Sequence, residues 1–368
     1  QGVTLSFGGF APVLPKLAER VIDVFKRFNV PGNVTGLELE RFRRIRQKID
    51  SELHSYSSMP VSYALQDLVM LLVQGVASND DQLEALESVT PELAKAAAAD
   101  LLFSRRLHTT ALVMGNLDQE GAVEAIETCV SGLVSGMGGM GTAGSEGKVQ
   151  YTPPVVSVSQ PIELRRLNPR KGDENHAVIV SLVLGVATVE SRVRASLLAH
   201  ILEPLVFTEL RSNRQLGYVV QAGVSQLANV LTLNTIVQSS VADADELEAA
   251  AESVLTGLMP ERLFNLTVLD LLNYRLAFKQ TLLQPPSSYG AEADYFWGPI
   301  TKGGVCFALR DEMLKYSDGP HITRETLLEE WARIGDPSLG ARRKVAVKLF
   351  AGAVPPRPDS RAAARLWE

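Results

Sequence analysis

Apolar positions along the chain follow two periods. Leu14, Leu17, Val21, Val24, Phe25 and Phe28 recur at helical spacing after an alternating Val3-Thr4-Leu5-Ser6-Phe7 and a Gly-Gly turn, so a strand feeding a helix is predicted. A second helix carries Leu39, Phe42, Ile45, Ile49 and Leu53 on one face, with Arg43, Arg44, Arg46 and Lys48 elsewhere around the cylinder as a solvated basic face. Further helices are expected from about Val61 to Val76 and from Thr90 to Leu102, the latter with Thr90 as N-cap and Pro91 at the first helical position. Leu112 to Met114 reads as a short strand stopped by Gly115-Asn116. Asp118 then caps a helix whose inner face is Ala122, Ile126, Cys129, Val130 and Leu133.

The pattern next dissolves into Gly136, Gly138, Gly139, Gly141, Gly144 and Gly147 among small and polar residues, a composition that reads as a flexible insertion at about 132–150. A polar, Pro-containing stretch from Tyr151 to Pro161 follows, and Arg165, Arg166, Arg170 and Lys171 lie beyond it. The domain boundary is placed here, giving 1–150 and 151–368. The second part opens with His176 to Val186, an apolar run suited to a central strand, and a helix from about Val189 to Leu202. Pro204 is expected to interrupt that helix or start another, because it lacks the amide donor. A short helix through Leu210 and Arg211 follows, and Leu216-Gly217 closes a turn in which Gly accepts the left-handed backbone. Tyr218 to Val224 and Asn229 to Gln238 read as strands joined by a polar turn at Ser225 to Ala228. Helices are expected at about Ala244 to Leu258, Pro260 to Leu283 and Ser288 to Thr301, with another near Thr323, before a last strand at Lys344 to Phe350. Both parts share one order of strands and helices, as in a diverged duplication. The predicted class is therefore α+β: two homologous domains, each with helices packed on a largely antiparallel sheet.

Composition narrows the function classes. The 368 residues are 46% hydrophobic and 21% charged, enough for more than one core. A formal charge of -6 spread over mixed signs offers no phosphate-neutralising face, so nucleic acid is not an expected partner. Apolar runs are too short to span a bilayer. Cys129 and Cys306 lie far apart and form neither a disulfide framework nor a metal cluster. The chain opens at Gln1 without an initiator Met, as expected of a piece cut from a longer precursor, so targeting signals would lie upstream and the compartment stays unknown.

A zincin sets two imidazoles one helical turn apart beside a carboxylate, as H-E-x-x-H or H-x-x-E-H. Neither pattern occurs. The histidines are His54, His108, His176, His200 and His321, and the closest two are 24 positions apart, so no metal ligands are assigned within this chain. No G-x-S-x-G elbow, P-loop or dinucleotide fingerprint is present. The adjacent pairs Asp80-Asp81, Asp311-Glu312 and Glu329-Glu330 do not face each other on a helix and read as solvation.

The distinctive stretch is Glu203-Pro204-Leu205-Val206-Phe207-Thr208-Glu209-Leu210-Arg211-Ser212-Asn213-Arg214-Gln215-Leu216-Gly217-Tyr218-Val219-Val220. It resembles the E-P-x-F-x-x-L-R-x-x-x-Q-L-G-Y-x-V pattern in the carboxy-terminal half of the insulysin, pitrilysin and nardilysin family. The likeness extends in order to Arg106-Leu107-His108 with Leu112 to Gly115-Asn116, to Ile236-Val237-Gln238-Ser239, to Tyr295-Phe296-Trp297-Gly298 and to Lys344-Val345-Ala346-Val347. It implies that 1–150 and 151–368 are the family's third and fourth domains, in the fold shared by insulysin and mitochondrial processing peptidase. It also implies a zinc site of the inverzincin kind in a partnering amino-terminal half and peptide substrates enclosed between the halves.

Carried over by motif position, Arg211 and Tyr218 would contact the substrate near the scissile bond and serve catalysis, and Phe207 would line the adjoining pocket. A guanidinium is a permanent donor fork, and a phenol can donate to an oxyanion. The plainer alternatives are that Arg211 caps the preceding helix, Phe207 is core and Tyr218 starts a strand. Arg214 departs from relatives that carry an acidic residue there, and the Gly-rich insertion is longer than the usual link. Two functions follow from the resemblance: a fragment of a zinc endopeptidase, inactive alone, or a non-catalytic peptide-binding or assembly module of a parent that has lost its zinc ligands.

Overall fold

The computed structural model describes residues 3–10, 13–27, 36–54, 59–100, 109–134, 155–301, 307–338 and 342–353. The Gly-rich stretch at 135–150, His108, Cys306 and the Pro- and Arg-rich tail from 354 lie outside them. In chain order the elements are α1 (Leu14–Arg27), α2 (Gly36–His54), α3 (Pro60–Leu72), α4 (Asn79–Ser88), α5 (Pro91–Ala99), α6 (Gln119–Val134), β1 (Ile162–Leu167), β2 (His176–Val186) and α7 (Val189–Val206). There follow β3 (Val219–Leu227), β4 (Val230–Ser239), α8 (Ala244–Ser253), α9 (Met259–Phe264), α10 (Val268–Leu283), α11 (Tyr289–Thr301), α12 (Leu309–Ser317), α13 (Arg324–Gly335) and β5 (Lys344–Phe350).

Two compact units interleave along the sequence. The first takes residues 1–55, 79–151 and 286–305, so α11 belongs to it. The second takes 56–78, 152–285 and 306–368, so α3 belongs to that one.

In the first unit α1 packs on α6 and α2 on α4, with Ala18 and Ile22 buried. The predicted caps are present: Thr90 accepts the Leu93 amide at 3.2 Å, and Asp118 Oδ1 accepts the Gly121 amide at 2.8 Å. The predicted strands at Val3 to Phe7 and Leu112 to Met114 are not formed. No neighbouring strand among the described residues takes up their backbone donors and acceptors, and alternation alone cannot satisfy those groups.

The second unit is built on a five-stranded sheet in the order β1-β5-β2-β4-β3, the one sheet among the described residues. All pairings are antiparallel except β1 with β5. The central β2 is buried on both faces, as its apolar run, interrupted only by Ser181, requires. Val178, Val180 and Leu182 meet the core formed with α7 and α13, while Ala177, Ile179 and Val183 meet the core formed with α3. The β3–β4 turn is two residues long, at Ala228-Asn229, with Ala228 at φ 49°; β3 therefore runs to Leu227, through most of the expected Ser225 to Ala228 turn. The helix expected from Pro260 to Leu283 is two helices. Thr267 and Asp270 form a capping box that starts α10 afresh after Asn265 and Leu266.

The edge strand β1 interleaves Glu163, Arg165 and Arg166 with apolar residues, and ion pairing is what lets it pack. Arg165 grips Asp245 of α8 with both terminal nitrogens, at 2.5 and 2.8 Å, and lies over the Phe350 ring at 4.7 Å. Lys348 of β5 meets Asp245 at 2.8 Å and Glu163 at 3.0 Å, and also pairs with Glu248. Lys344 pairs with Glu248 and Glu252 at 2.5 and 2.7 Å, and Arg342 with Glu252 at 2.7 Å. One turn of α8 thus answers each step along β5.

The Arg165 fork, and then Lys348, holds the Asp245 carboxyl down to about 2 from an ordinary 3.8. A depressed carboxylate contributes stability that is full above its unfolded pKa and is lost as pH falls through the folded one. Asp245→Asn is expected to cost the chain about 2 kcal/mol in urea unfolding at pH 7. The gap to the parent should close as pH falls from about 4 toward 2; a gap constant with pH would refute the assignment.

Candidate functional site

The site grows from the end of α7. Thr188 and Ser191 cap that helix reciprocally, Thr188 Oγ1 accepting the Ser191 amide at 3.1 Å and Ser191 Oγ accepting the Thr188 amide at 2.8 Å. Its buried stripe is Val193, Leu197, Leu198, Ile201, Leu202 and Val206. Pro204 does not stop it. The ring sits on the exposed side, and continuing the helix buries Val206 and, one turn on, Leu210, both fully. Each such burial is worth about 1.5–3 kcal/mol, which offsets the roughly 3 kcal/mol cost of an interior proline.

Beyond Val206 the helix widens into a π-helical segment, Phe207–Asn213, where a plain short helix is predicted. The wider hydrogen-bonding is seen where the Arg214 amide donates to the Glu209 carbonyl at 3.0 Å and the Leu216 amide to the Leu210 carbonyl at 2.9 Å. Such segments are uncommon and are frequent at functional sites.

The turn into β3 differs from expectation at one residue. Gln215, at φ 51°, takes the left-handed conformation, and Gly217 does not. Gly217 is needed for a different reason: a Cβ there would lie 2.1 Å from the carbonyl oxygen of Gln238 on β4. Close approach of two backbones therefore sets where Tyr218 leaves the sheet, immediately before Val219 pairs with Gln238.

The three residues singled out from the motif come together. The Arg211 guanidinium lies over the Phe207 ring at 5.0 Å and over the Tyr218 ring at 5.3 Å. All three are exposed, Tyr218 by 83% and Phe207 by 43%. Phe207 is therefore not core; the buried neighbour is Leu210. A cation over an aromatic face gains about 0.5–1 kcal/mol when exposed, so this arrangement stabilises little. It presents a donor fork and a phenol side by side.

Sequence reasoning passed over Glu209 and Asn213, and noted Arg214 only as a departure. Glu209 accepts from Asn213 Nδ2 at 2.9 Å and from Arg214 Nε at 2.7 Å, and these bonds hold its carboxyl below the usual range. The legible signal was a carboxylate four and five residues ahead of its donors at a helix end.

The one trio of clustered carboxylates among the described residues, Glu163, Asp245 and Glu248, contains no imidazole or thiolate and already holds Arg165 and Lys348. Zinc prefers nitrogen and sulfur donors. His54, His176, His200 and His321 stand on separate elements against Asp50, Phe350, Phe278 and Tyr316 respectively. Among the described residues no helix is long and apolar enough to cross a membrane.

Residues 197–297 match the family described as PQQ synthase PqqF-like, C-terminal lobe domain 4, a span that contains the whole Arg211 to Tyr218 site. Human insulin-degrading enzyme is 22% identical over 362 residues, covering 95% of this chain and 33% of that protein. A nardilysin-like protein of Arabidopsis thaliana is 23% identical over 300 residues, 79% of this chain and 27% of the relative. In fold the chain is similar to the crystal structure of pitrilysin, with a TM-score of 0.72 at 19% identity over 93% of this chain and 34% of that one. The chain thus spans about a third of the length of the relatives it matches.

The close contact at Gly217 makes a definite demand. Gly217→Ala must push β3 from β4 at its first pair, and overpacking of this kind costs about 1–3 kcal/mol. A lowered denaturant midpoint is the expected result, and an unchanged midpoint would mean that the backbone approach is not required.

Proposed function

We propose, for a chain that belongs to the carboxy-terminal half of the insulysin and pitrilysin peptidase family, that Arg211, Tyr218 and Phe207 form the peptide-contacting edge of a zinc-dependent endopeptidase. The metal belongs to the amino-terminal half of the same protein, and this chain alone does not cleave. The observation that carries the reading is the Arg211 guanidinium set against two exposed aromatic rings at a helix-to-strand junction. A long cation and two large rings left in solvent gain little for the fold. They suit an extended peptide, whose carbonyls accept from the guanidinium while its side chains lie on the Phe207 face.

In such an enzyme zinc supplies an activated water for attack on the scissile carbonyl. This chain's part is to hold the peptide and to donate. The Tyr218 hydroxyl donates to the oxygen on which charge develops, and the Arg211 fork fixes the neighbouring backbone. Phe207 lines the adjoining subsite. The chain is taken as two family-type α+β domains, 1–150 and 151–368, that close with the other half around an unfolded peptide.

The test uses the chain joined to its amino-terminal half. Tyr218→Phe is expected to lower kcat about 100-fold, the loss of one oxyanion donor of about 3 kcal/mol. Arg211→Ala should act mainly on KM. Cleavage of a fluorogenic peptide at the parent rate by both variants would reject these roles.

A further inference from the structure

We propose that Glu209, Asn213 and Arg214 form a clip that positions Arg211 over its two rings, with Arg214 fastening the clip to α8. This rests on the reading of Arg211 and Tyr218 as peptide-contacting groups, and gives positioning roles to residues that need not touch the peptide.

The argument begins with the π-helical segment. Such segments are rare, and the inner side of this one is held by the buried Leu210. Its outer side is held by the Glu209 carboxylate, one oxygen accepting from Arg214 Nε at 2.7 Å and the other from Asn213 Nδ2 at 2.9 Å. Arg211 lies between these anchor points, two residues from Glu209 and two from Asn213.

Arg214 reaches further. Its Nη2 donates to Ser253 Oγ at 3.1 Å, and that hydroxyl donates to the Ala250 carbonyl at 2.7 Å. Ser253 is the last residue of α8, where a second π-helical segment, Val254–Leu258, begins. The end of the first segment is thereby fixed to an element that packs on the sheet.

Both parts of the cation–ring stack hang from this clip. Arg211 lies inside it, and Tyr218 follows Arg214 through the left-handed Gln215 and the tightly packed Gly217. With the Arg214 side chain free of Glu209 and Ser253, residues 214–217 keep only their backbone bonds to Glu209 and Leu210, and the guanidinium and phenol lose their common geometry. Exposed ion pairs are worth about 0–1 kcal/mol to stability. Position, and not stability, is what this one supplies.

Two measurements test it. In the chain itself, ring currents from Phe207 and Tyr218 should move the Arg211 δ-methylene protons upfield in spectra of arginine-labelled protein. Arg214→Ala and Glu209→Gln should return them toward the position of a free arginine, and Arg214→Lys should keep part of the shift. In the chain joined to its amino-terminal half, Arg214→Ala should lower kcat about tenfold or more, as small misplacements near a reacting group do. Arg214→Lys should recover part of that loss, and the melting temperature should hardly move.

An upfield shift that survives both Arg214→Ala and Glu209→Gln overturns the clip. Its loss with peptide cleavage unchanged would support the clip and reject the peptide-contact reading of Arg211. Its loss together with a fall in kcat at constant melting temperature supports both.

Discussion

The apolar stripe of α7, carried on by Leu210, fixes the geometry of everything after it. Val193, Leu197, Ile201 and Val206 lie fully buried against the same core that receives Val180 and Leu182 of β2, Leu233 of β4 and Val220 of β3. The helix cannot rotate without drawing several of these side chains into water at about 1.5–3 kcal/mol each. The register in which it arrives at residue 207 is therefore set by the sheet, and so is the side on which Phe207 and Arg211 emerge. Pro204 is accommodated because breaking the helix would forfeit Leu210, which holds the far side of that break.

Against this rigid frame the exposed group is built by small conformational exceptions. A π-helical widening, one left-handed Gln215 and one glycine against a neighbouring carbonyl together occupy the eleven residues from Phe207 to Gly217. A left-handed non-glycine residue costs about 1–2 kcal/mol. Departures concentrated in one stretch are the kind of cost that persists where surrounding packing over-determines it. Their joint effect is to bring a side chain from the π-helical segment and one from the turn before β3 to within cation–ring distance.

How far the sequence disclosed this depends on what each element relies upon. The run from His176 to Val186 was legible as a central strand because both of its faces are apolar, and Thr90 and Asp118 were legible as caps because their bonds are local. β1 was not, since Glu163, Arg165 and Arg166 look solvated until α8 and Asp67 supply their partners from far along the chain. The break at Thr267 could be read from its Asp at the third following position, but apolar residues on both sides concealed it. Arg211, Tyr218 and Phe207 were found by resemblance to a motif. Periodicity alone could not have united them, because the contact depends on the turn that Gly217 permits.

The tie between the two π-helical segments suggests how a second basic residue, at 214, is compatible with the exposed Arg211 three positions before it. A lone arginine in that turn would compete with Arg211 for the same anionic or carbonyl partners. Here its Nε is taken by Glu209 and one terminal nitrogen by Ser253. The charge at 214 is thus paired within five residues, with Glu209. On the proposed function, substitution at 214 then changes how the peptide-contacting pair is held and leaves unchanged which groups do the holding of peptide.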